Sequence, residues 1–180
     1  MSLFLALRAP AALQAAVRAW APPAELDLRP ADPALLHLTL AFLGPLPGAG
    51  PEAVAAVAGE VAAHTTPFTL IPSGLGAFPC EARARVLWWG LEPQPALEAL
   101  AISLRAHLQA AGLPFDPKPF RAHLTLGRLR SPRPLPDLVA PPGTPWPVTH
   151  LALMESRVTR DGSRHEGRGE WALAGGGASS

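Results

Sequence analysis

The sequence has very little cysteine and no long apolar run. Cys80 is the only cysteine among the 180 residues, so the chain can form neither an intrachain disulfide nor a cysteine metal cluster. No apolar run approaches the roughly 18 to 20 residues that a membrane span needs. The N-terminal segment lacks the basic start of a secretory signal, and Arg8 and Pro10 interrupt its apolar run. We therefore expect a cytoplasmic enzyme or binding module.

An excess of charge of either sign is missing too. Fifteen Lys and Arg residues against fourteen Asp and Glu residues give a formal net charge of +1. Such a chain has no overall field that would hold long nucleic acid, so an anionic partner would have to be bound locally. Hydrophobic residues make up 48% of the sequence, which is enough for a substantial core in one domain or in two small lobes.

What the sequence does contain is a repeated tetrapeptide, His-Leu-Thr-Leu, at residues 37–40 and again 86 positions later at residues 123–126. Each copy lies in an apolar run that predicts a β-strand. Alternate side chains of a strand share a face, so His37 and Thr39 should point together, away from a core face. That predicted core face carries Leu36, Leu38, Leu40 and Phe42.

The second copy should present its polar side chains in the same way. His123 and Thr125 share a face, and Ala122, Leu124 and Leu126 back them. Two strands would then each present an imidazole and a hydroxyl to a common cleft. A third His-x-Thr, at residues 64–66, follows an alanine-rich helical pattern and precedes a proline, so it predicts a helix end. The alternative explanation of the repeat is two unrelated, half-buried strand histidines.

The rest of the chain alternates predicted helices and strands. Helices are expected over Pro10 to about Trp20, over Glu52–His64, and from Pro93 or Pro95 to about Ala111. Strands besides the two motif strands are expected over residues 3–8, 26–29, 68–71 with an extension over 72–78, 86–91, 148–157 and 169–173. This order predicts an α+β fold of two interleaved lobes, each a small antiparallel sheet backed by helices, with an active-site cleft between them. We expect one domain over residues 1–174 and a disordered tail over residues 175–180.

The sequence offers the two histidines neither a nucleophile nor further metal ligands, and this limits the reactions that they could catalyse. No Gly-x-Ser-x-Gly motif is present, and Cys80 has no neighbouring base. A catalytic zinc normally has three protein ligands, and no carboxylate is paired with either motif. Two unliganded imidazoles suit an acid and base pair, because their ordinary pKa of about 6.5 lets one be neutral and the other protonated near pH 7. The hydroxyls of Thr39 and Thr125 would donate to an anionic centre between them.

Such a pair suits the attack of water on a phosphodiester, and a cyclic phosphate especially, because ring strain reduces the need for a metal. Both motifs and their flanks resemble the 2H phosphoesterase superfamily, specifically the bacterial and archaeal RNA 2′,3′-cyclic phosphodiesterases once called 2′-5′ RNA ligases. The segments that carry the resemblance are residues 3–7, 37–44, 86–91, 120–128 and 153–157.

The resemblance implies a two-lobed, pseudo-twofold fold without a metal or another cofactor. Its substrate would be RNA that ends in a 2′,3′-cyclic phosphate, and the product a 2′-phosphomonoester; reverse 2′-5′ ligation remains open. His37 would be the proton donor to the leaving 3′ oxygen, and His123 the acceptor that activates water. We expect the chain to act as a monomer, away from membranes.

Residues outside the two motifs are predicted less directly. Arg121 should share the face of His123 and contact phosphate, the alternative being a solvated strand-end arginine. Arg128 lies on the opposite parity, so its assignment to substrate binding rests on the resemblance. Trp88 and Trp89 alternate faces. One alternative is that one of them packs in the core while the other lines the cleft and stacks a base. The favoured prediction is that both pack in the core.

Three positions depart from the family pattern. Ala122 stands where a proline is usual, Lys118 near a position often held by arginine, and His165 where an aromatic is common. His165 is expected in an exposed loop, the alternative being that it reaches an RNA end from a polar turn. These departures bear on the choice of substrate rather than on the reaction.

Two other functions remain possible from the sequence. A related 2H phosphodiesterase could act on a small cyclic nucleotide or a nucleoside cyclic phosphate. A non-catalytic protein that binds RNA ends is the alternative from another class, although a binder has no need of two proton-transfer groups.

Overall fold

The described part of the chain, residues 1–160 and 162–175, forms three α-helices and ten β-strands in this computed structural model. The helices are α1 (Ala11–Ala19), α2 (Gly50–Ala63) and α3 (Pro95–Ala110). The strands are β1 (Ser2–Arg8), β2 (Leu28–Pro30), β3 (His37–Gly44), β4 (Phe68–Leu70), β5 (Pro72–Phe78), β6 (Ala84–Leu91), β7 (Leu124–Arg133), β8 (Trp146–Val148), β9 (His150–Thr159) and β10 (Gly162–Ala172). Within these ranges no helix is long and apolar enough to span a membrane.

Helix boundaries follow local sequence signals. Helix α3 begins at Pro95, where the missing N–H of proline costs nothing, and the side chain of Gln94 accepts the backbone N–H of Ala96 at 3.3 Å. It ends just before Gly112, whose φ of +69° is the left-handed conformation that glycine adopts most easily. Helix α2 ends at Ala63 and is followed by its C-cap residue His64, whose Nδ1 lies 2.9 Å from the carbonyl of Glu60, so the third His-x-Thr is a helix end as predicted.

Two four-stranded antiparallel sheets carry the fold. Their strand orders are β10-β9-β1-β3 and β2-β7-β6-β5, and β4 pairs with β8 in a separate two-stranded sheet. Helix α2 packs against α3 and against β9 and β10, while α3 also contacts β3. The predicted α+β class is confirmed. In each large sheet a motif strand pairs with a central strand: β3 with β1, and β7 with β6.

One hydrophobic cluster includes side chains from both large sheets. Leu5, Leu38 and Leu40 of the first sheet and Leu87 and Trp89 of the second are fully buried in it. Burying such a leucine is worth about 1.5–3 kcal/mol. The opposite face of β1 and β9 carries a smaller cluster of Phe4, Ala6, Ala152 and Met154.

A β-bulge interrupts the first motif strand directly after its threonine. Ala6 lies opposite Thr39, but the preceding residue of β1, Leu5, lies opposite Ala41, so Leu40 has no partner of its own. The extra residue reverses the alternation of faces beyond it. Phe42, predicted on the core face, is consequently 44% exposed, and that prediction is wrong.

The second motif strand has its bulge at the equivalent place. Trp88 lies opposite Thr125 and Leu87 opposite Gly127, which leaves Leu126 as the extra residue. The two halves therefore share their irregularity as well as their tetrapeptide. The bulge brings the exposed side chain of Arg128 to the same face of β7 as Thr125. The prediction that Arg128 lies on the opposite face is therefore wrong.

Other strands differ from the predictions in extent. Strand β7 begins at Leu124, one residue after His123, and runs to Arg133, well beyond the end of the motif at Leu126. Strand β5 is no extension of β4, because β4 pairs with β8 while β5 pairs with β6. Of the predicted tail, Gly175 donates its backbone N–H to the carbonyl of Thr65, and residues 176–180 lie outside the described residues.

A buried carboxylate sits on the other face of β9. Glu155 is 2% exposed, and its oxygens accept hydrogen bonds from Arg157 at 2.6 Å and from Arg168. Burial raises the pKa of this carboxyl, but the hydrogen bonds and charges of the two arginines outweigh it and hold the pKa below its ordinary value. The ionised group ties β9 to β10 on the side away from Phe4 and Met154.

Candidate active site

His37 and His123 occupy matching places in the two sheets. His37 is the first residue of β3, and His123 immediately precedes β7. The Nδ1 of His37 donates to the carbonyl of Leu35 at 2.7 Å, and the Nδ1 of His123 donates to the carbonyl of Arg121 at 2.6 Å. A carbonyl can only accept, so Nδ1 carries the proton in each ring. In both histidines Nε2 is left free for chemistry.

Apolar rings surround both imidazoles. The ring of Phe4 lies 5.0 Å from that of His37, and the ring of Phe78 meets that of His123 edge to face at 4.8 Å. Trp88 is a further neighbour of His123, at 6.5 Å between ring centroids. Such walls reduce hydration and thereby disfavour the charged form of an imidazole.

The pKa values of the two histidines follow from these surroundings. Burial lowers the pKa of His37 and of His123 below the ordinary 6.5, although the carbonyl hydrogen bonds oppose this effect. Positive charge on His165 or His123 lowers the pKa of His37 further, and the Arg121 guanidinium acts in the same direction on the pKa of His123. The free site therefore favours neutral imidazoles, and a bound phosphate would favour the protonated form.

Both motif threonines lie where the alternation predicts them. Thr39 and Thr125 are half-buried, on the same face as their histidines, opposite Ala6 and Trp88 respectively. Arg121 is exposed beside His123, and its guanidinium carbon lies 5.2 Å from the ring centroid of Phe78. The predicted grouping of Arg121 with His123 is thus present.

The two tryptophans separate as their alternation requires. Trp89 is fully buried and donates from Nε1 to the carbonyl of Ser73 at 2.9 Å. Trp88 is half-buried and lies across Gly76, where an added Cβ would come within 2.2 Å of the indole. The favoured prediction of core packing for both is wrong for Trp88, which lines the site beside Phe78 and His123.

Near His37 the sequence prediction missed Arg8 and favoured the wrong alternative for His165. His165 belongs to β10 rather than to an exposed loop, and its ring meets those of Phe4 and His37 edge to face, each at 5.2 Å. Arg8 lies opposite His37 in the pairing of β1 with β3. The alternation within β1 places Arg8 on the face of Phe4, and this could have predicted Arg8 near the site. His165 stands where the family commonly has an aromatic residue, and this could have predicted His165 near the site.

A small cavity lies beside His37. Its volume is about 60 Å³. Basic side chains in its wall are Arg8, His37 and His165, and Met154 and Gly167 are among its other lining residues. Among the described residues no group of three or more His, Cys, Asp or Glu side chains could hold a metal ion.

The chain matches a known protein family over most of its length. Residues 9–160 match the family model described as the 2′-5′ RNA ligase superfamily. The RNA 2′,3′-cyclic phosphodiesterase of Escherichia coli K12 is 33% identical over 177 residues, covering 95% of this chain and 96% of that protein. The enzyme of the same name from Thermus thermophilus is 34% identical over 141 residues, covering 74% of this chain and 70% of that protein.

Solved structures of similar proteins superpose on nearly the whole chain. A crystal structure of a Thermus thermophilus protein superposes with a TM-score of 0.83 at 30% identity, covering 98% of this chain and 100% of the other. Escherichia coli LigT complexed with 3′-AMP superposes with a TM-score of 0.79 at 31% identity, covering 96% of this chain and 97% of the other.

Proposed function

Because the chain belongs to the 2′-5′ RNA ligase superfamily, we propose that it hydrolyses the 2′,3′-cyclic phosphate at RNA ends to a 2′-phosphomonoester. The resemblance to the 2H phosphoesterases is confirmed by that match, and relatives 33% and 34% identical carry the name RNA 2′,3′-cyclic phosphodiesterase. The observation that carries the proposal is the matched pair of imidazoles, each with Nδ1 bound to a carbonyl and Nε2 free.

In the proposed reaction His123 is the base and His37 the acid. The Nε2 of His123 takes a proton from water as the water oxygen forms its bond to phosphorus. The P–O3′ bond breaks, and the Nε2–H of His37 gives its proton to the departing O3′. The phosphate stays on O2′, and exchange with solvent restores both histidines. Each proton transfer is typically worth about a hundred- to ten-thousand-fold in rate.

The threonines complete the proposed machinery. The hydroxyls of Thr39 and Thr125 donate to the non-bridging phosphate oxygens, where negative charge increases in the transition state. Arg121 and Arg128 contact the substrate beyond the reacting phosphate. The exposure of both arginines, and the bulge that turns Arg128 to the face of Thr125, support this assignment.

No metal is required by this scheme, because the two imidazoles supply the acid and the base and the hydroxyls supply the anion contacts. We propose further that residues 1–174 act as one domain and as a monomer, since one hydrophobic cluster joins the sheets and one chain contributes all the site residues. A cytoplasmic location, where RNA ends arise, fits this activity.

The proposal is tested by incubating the purified protein, with EDTA, with an RNA that ends in a 2′,3′-cyclic phosphate. The expected product is the 2′-phosphomonoester. Hydrolysis confined to a cyclic mononucleotide would favour the small-substrate alternative. Binding of the RNA end without single-turnover hydrolysis would favour the non-catalytic one, and restoration of activity only by zinc or manganese would contradict the metal-free scheme.

A further inference from the structure

The cavity beside His37 has a wall with basic side chains and no carboxylate. Arg8 comes from β1 and His165 from β10, and none of the eight residues that line the cavity is acidic. Among the described residues Arg8 forms no ion pair with a carboxylate, whereas Arg157 and Arg168 are both paired with Glu155. An exposed, uncompensated guanidinium beside two imidazoles favours an anion.

His165 has one ring nitrogen open to a ligand. Its Nδ1 is buried without a hydrogen-bond partner among the described residues, so Nε2 is the nitrogen that solvent reaches. A proton on Nδ1 would be buried without an acceptor, which favours the tautomer with the proton on Nε2. In that tautomer His165 presents an N–H donor, and burial, which lowers its pKa, favours the same neutral form.

The stereochemistry of ribose indicates which part of the substrate comes near this cavity. C3′ carries O3′ and is bonded to C4′, which carries C5′ and, through it, the 5′ phosphate. If His37 protonates O3′, then C4′, C5′ and the 5′ phosphate lie on the side of the ribose that is nearer to His37. The base, attached to C1′ beside C2′, leaves on the other side, towards His123 and Trp88. This step rests on the proposed function and on its assignment of His37 as the acid.

We propose that Arg8 and His165 form a subsite for the 5′ phosphate of the terminal nucleotide, the group that links it to the preceding nucleotide of the RNA. Arg8 supplies the charge, and the Nε2–H of His165 supplies a directed donor. A cavity of about 60 Å³ suits a single phosphate group, since pockets for drug-sized ligands run from about 300 to 1,000 Å³. The enzyme is thereby selective for the ends of RNA chains over isolated nucleosides.

The test compares two substrates that differ only in this group. A nucleoside 2′,3′-cyclic phosphate and its 5′-phosphorylated form are assayed with the wild type, with Arg8→Gln, and with Arg164→Gln as the matched control. Arg164 neighbours His165 in β10 but lies on the opposite face of the strand. The quantity measured is the ratio of kcat/KM values, 5′-phosphorylated over unphosphorylated.

The wild type and the Arg164 variant should prefer the 5′-phosphorylated substrate by roughly ten- to a hundredfold, the range expected for a charge-assisted contact. Arg8→Gln should bring the ratio close to one, and His165→Phe, which keeps the ring but removes the N–H, should reduce it. A wild-type ratio near one, or a ratio unchanged in Arg8→Gln, would overturn the subsite.

Failure of the proposed function is distinguishable from failure of the subsite. If the wild type hydrolyses neither these substrates nor an RNA that ends in a 2′,3′-cyclic phosphate, the proposed activity is wrong, and the subsite is then judged by binding. Calorimetry compares the dissociation constants of a nucleoside 2′-phosphate and the corresponding 2′,5′-bisphosphate. A preference for the bisphosphate that disappears in Arg8→Gln supports the subsite, and equal dissociation constants in the wild type refute it.

Discussion

The imidazole rings of His37 and His165 meet edge to face, with their centroids 5.2 Å apart. Both also contact the ring of Phe4, so three rings form one cluster on the face of β1 that carries the candidate site. Burial lowers the pKa of each of these two histidines, and positive charge on His165 adds to the effect at His37. This environment determines the pH range in which His37 can hold the proton that we propose it donates.

The dependence of kcat/KM on pH should be bell-shaped, with its maximum below pH 6.5. Activity needs neutral His123 and protonated His37, so it falls at low pH as His123 gains a proton and at high pH as His37 loses one. Both pKa values are lowered from 6.5 in the free enzyme, which moves both limbs to lower pH.

The profile of kcat should lie at higher pH than that of kcat/KM, because a bound phosphate anion raises both pKa values. Steady-state rates from about pH 4 to pH 9 supply both profiles. A maximum of kcat/KM above pH 7 would contradict the lowered pKa values.

Removing either motif hydroxyl should weaken catalysis and leave the fold intact. Thr39→Ala and Thr125→Ala each remove one proposed donor to the phosphate, so we expect about a tenfold to a hundredfold loss in kcat/KM. Thr69→Ala, on an exposed position of β4, is the control and should match the wild type. Wild-type kinetics in both motif variants would show that the hydroxyls do not contact the reacting phosphate.

Gly76 should be irreplaceable because of Trp88. An alanine Cβ there would lie 2.2 Å from the indole and would push Trp88 away from His123, whereas an alanine at Gly74 meets nothing within 4 Å. Gly76→Ala should lose about 1–3 kcal/mol of unfolding free energy and most of the activity, and Gly74→Ala neither. Urea denaturation and kcat/KM of both variants check this, and equal behaviour of the two would refute the close packing.

Much of the site could be predicted from the sequence because the grouping of its residues depends on neighbours within the same strand. The repeated His-Leu-Thr-Leu and the period of two along a strand were enough to group His37 with Thr39 and His123 with Thr125. The helix ends at Gly112 and His64 were also predictable, because capping depends on adjacent residues.

The rest depends on how strands pair. A bulge is a property of two strands in register, so the sequence of β3 or β7 alone could not show that Phe42 is exposed or that Arg128 faces the site. His165 lies 128 residues from His37, and only the pairing of β10, β9, β1 and β3 brings the two rings together. The prediction of core packing fails for Trp88 because its place beside the site depends on Gly76, which lies opposite it on the neighbouring strand β5.

The central claim is the division of labour between His37 and His123. Mutating either to alanine should leave little hydrolysis, and the double variant should be scarcely worse, because the two act as a unit. The decisive measurement is single-turnover hydrolysis of a cyclic substrate whose 3′ oxygen is replaced by sulfur. A thiolate leaves without a proton, so this substrate should restore activity to His37→Ala and not to His123→Ala. Equal rescue of both variants, or rescue of His123→Ala alone, would contradict the assignment.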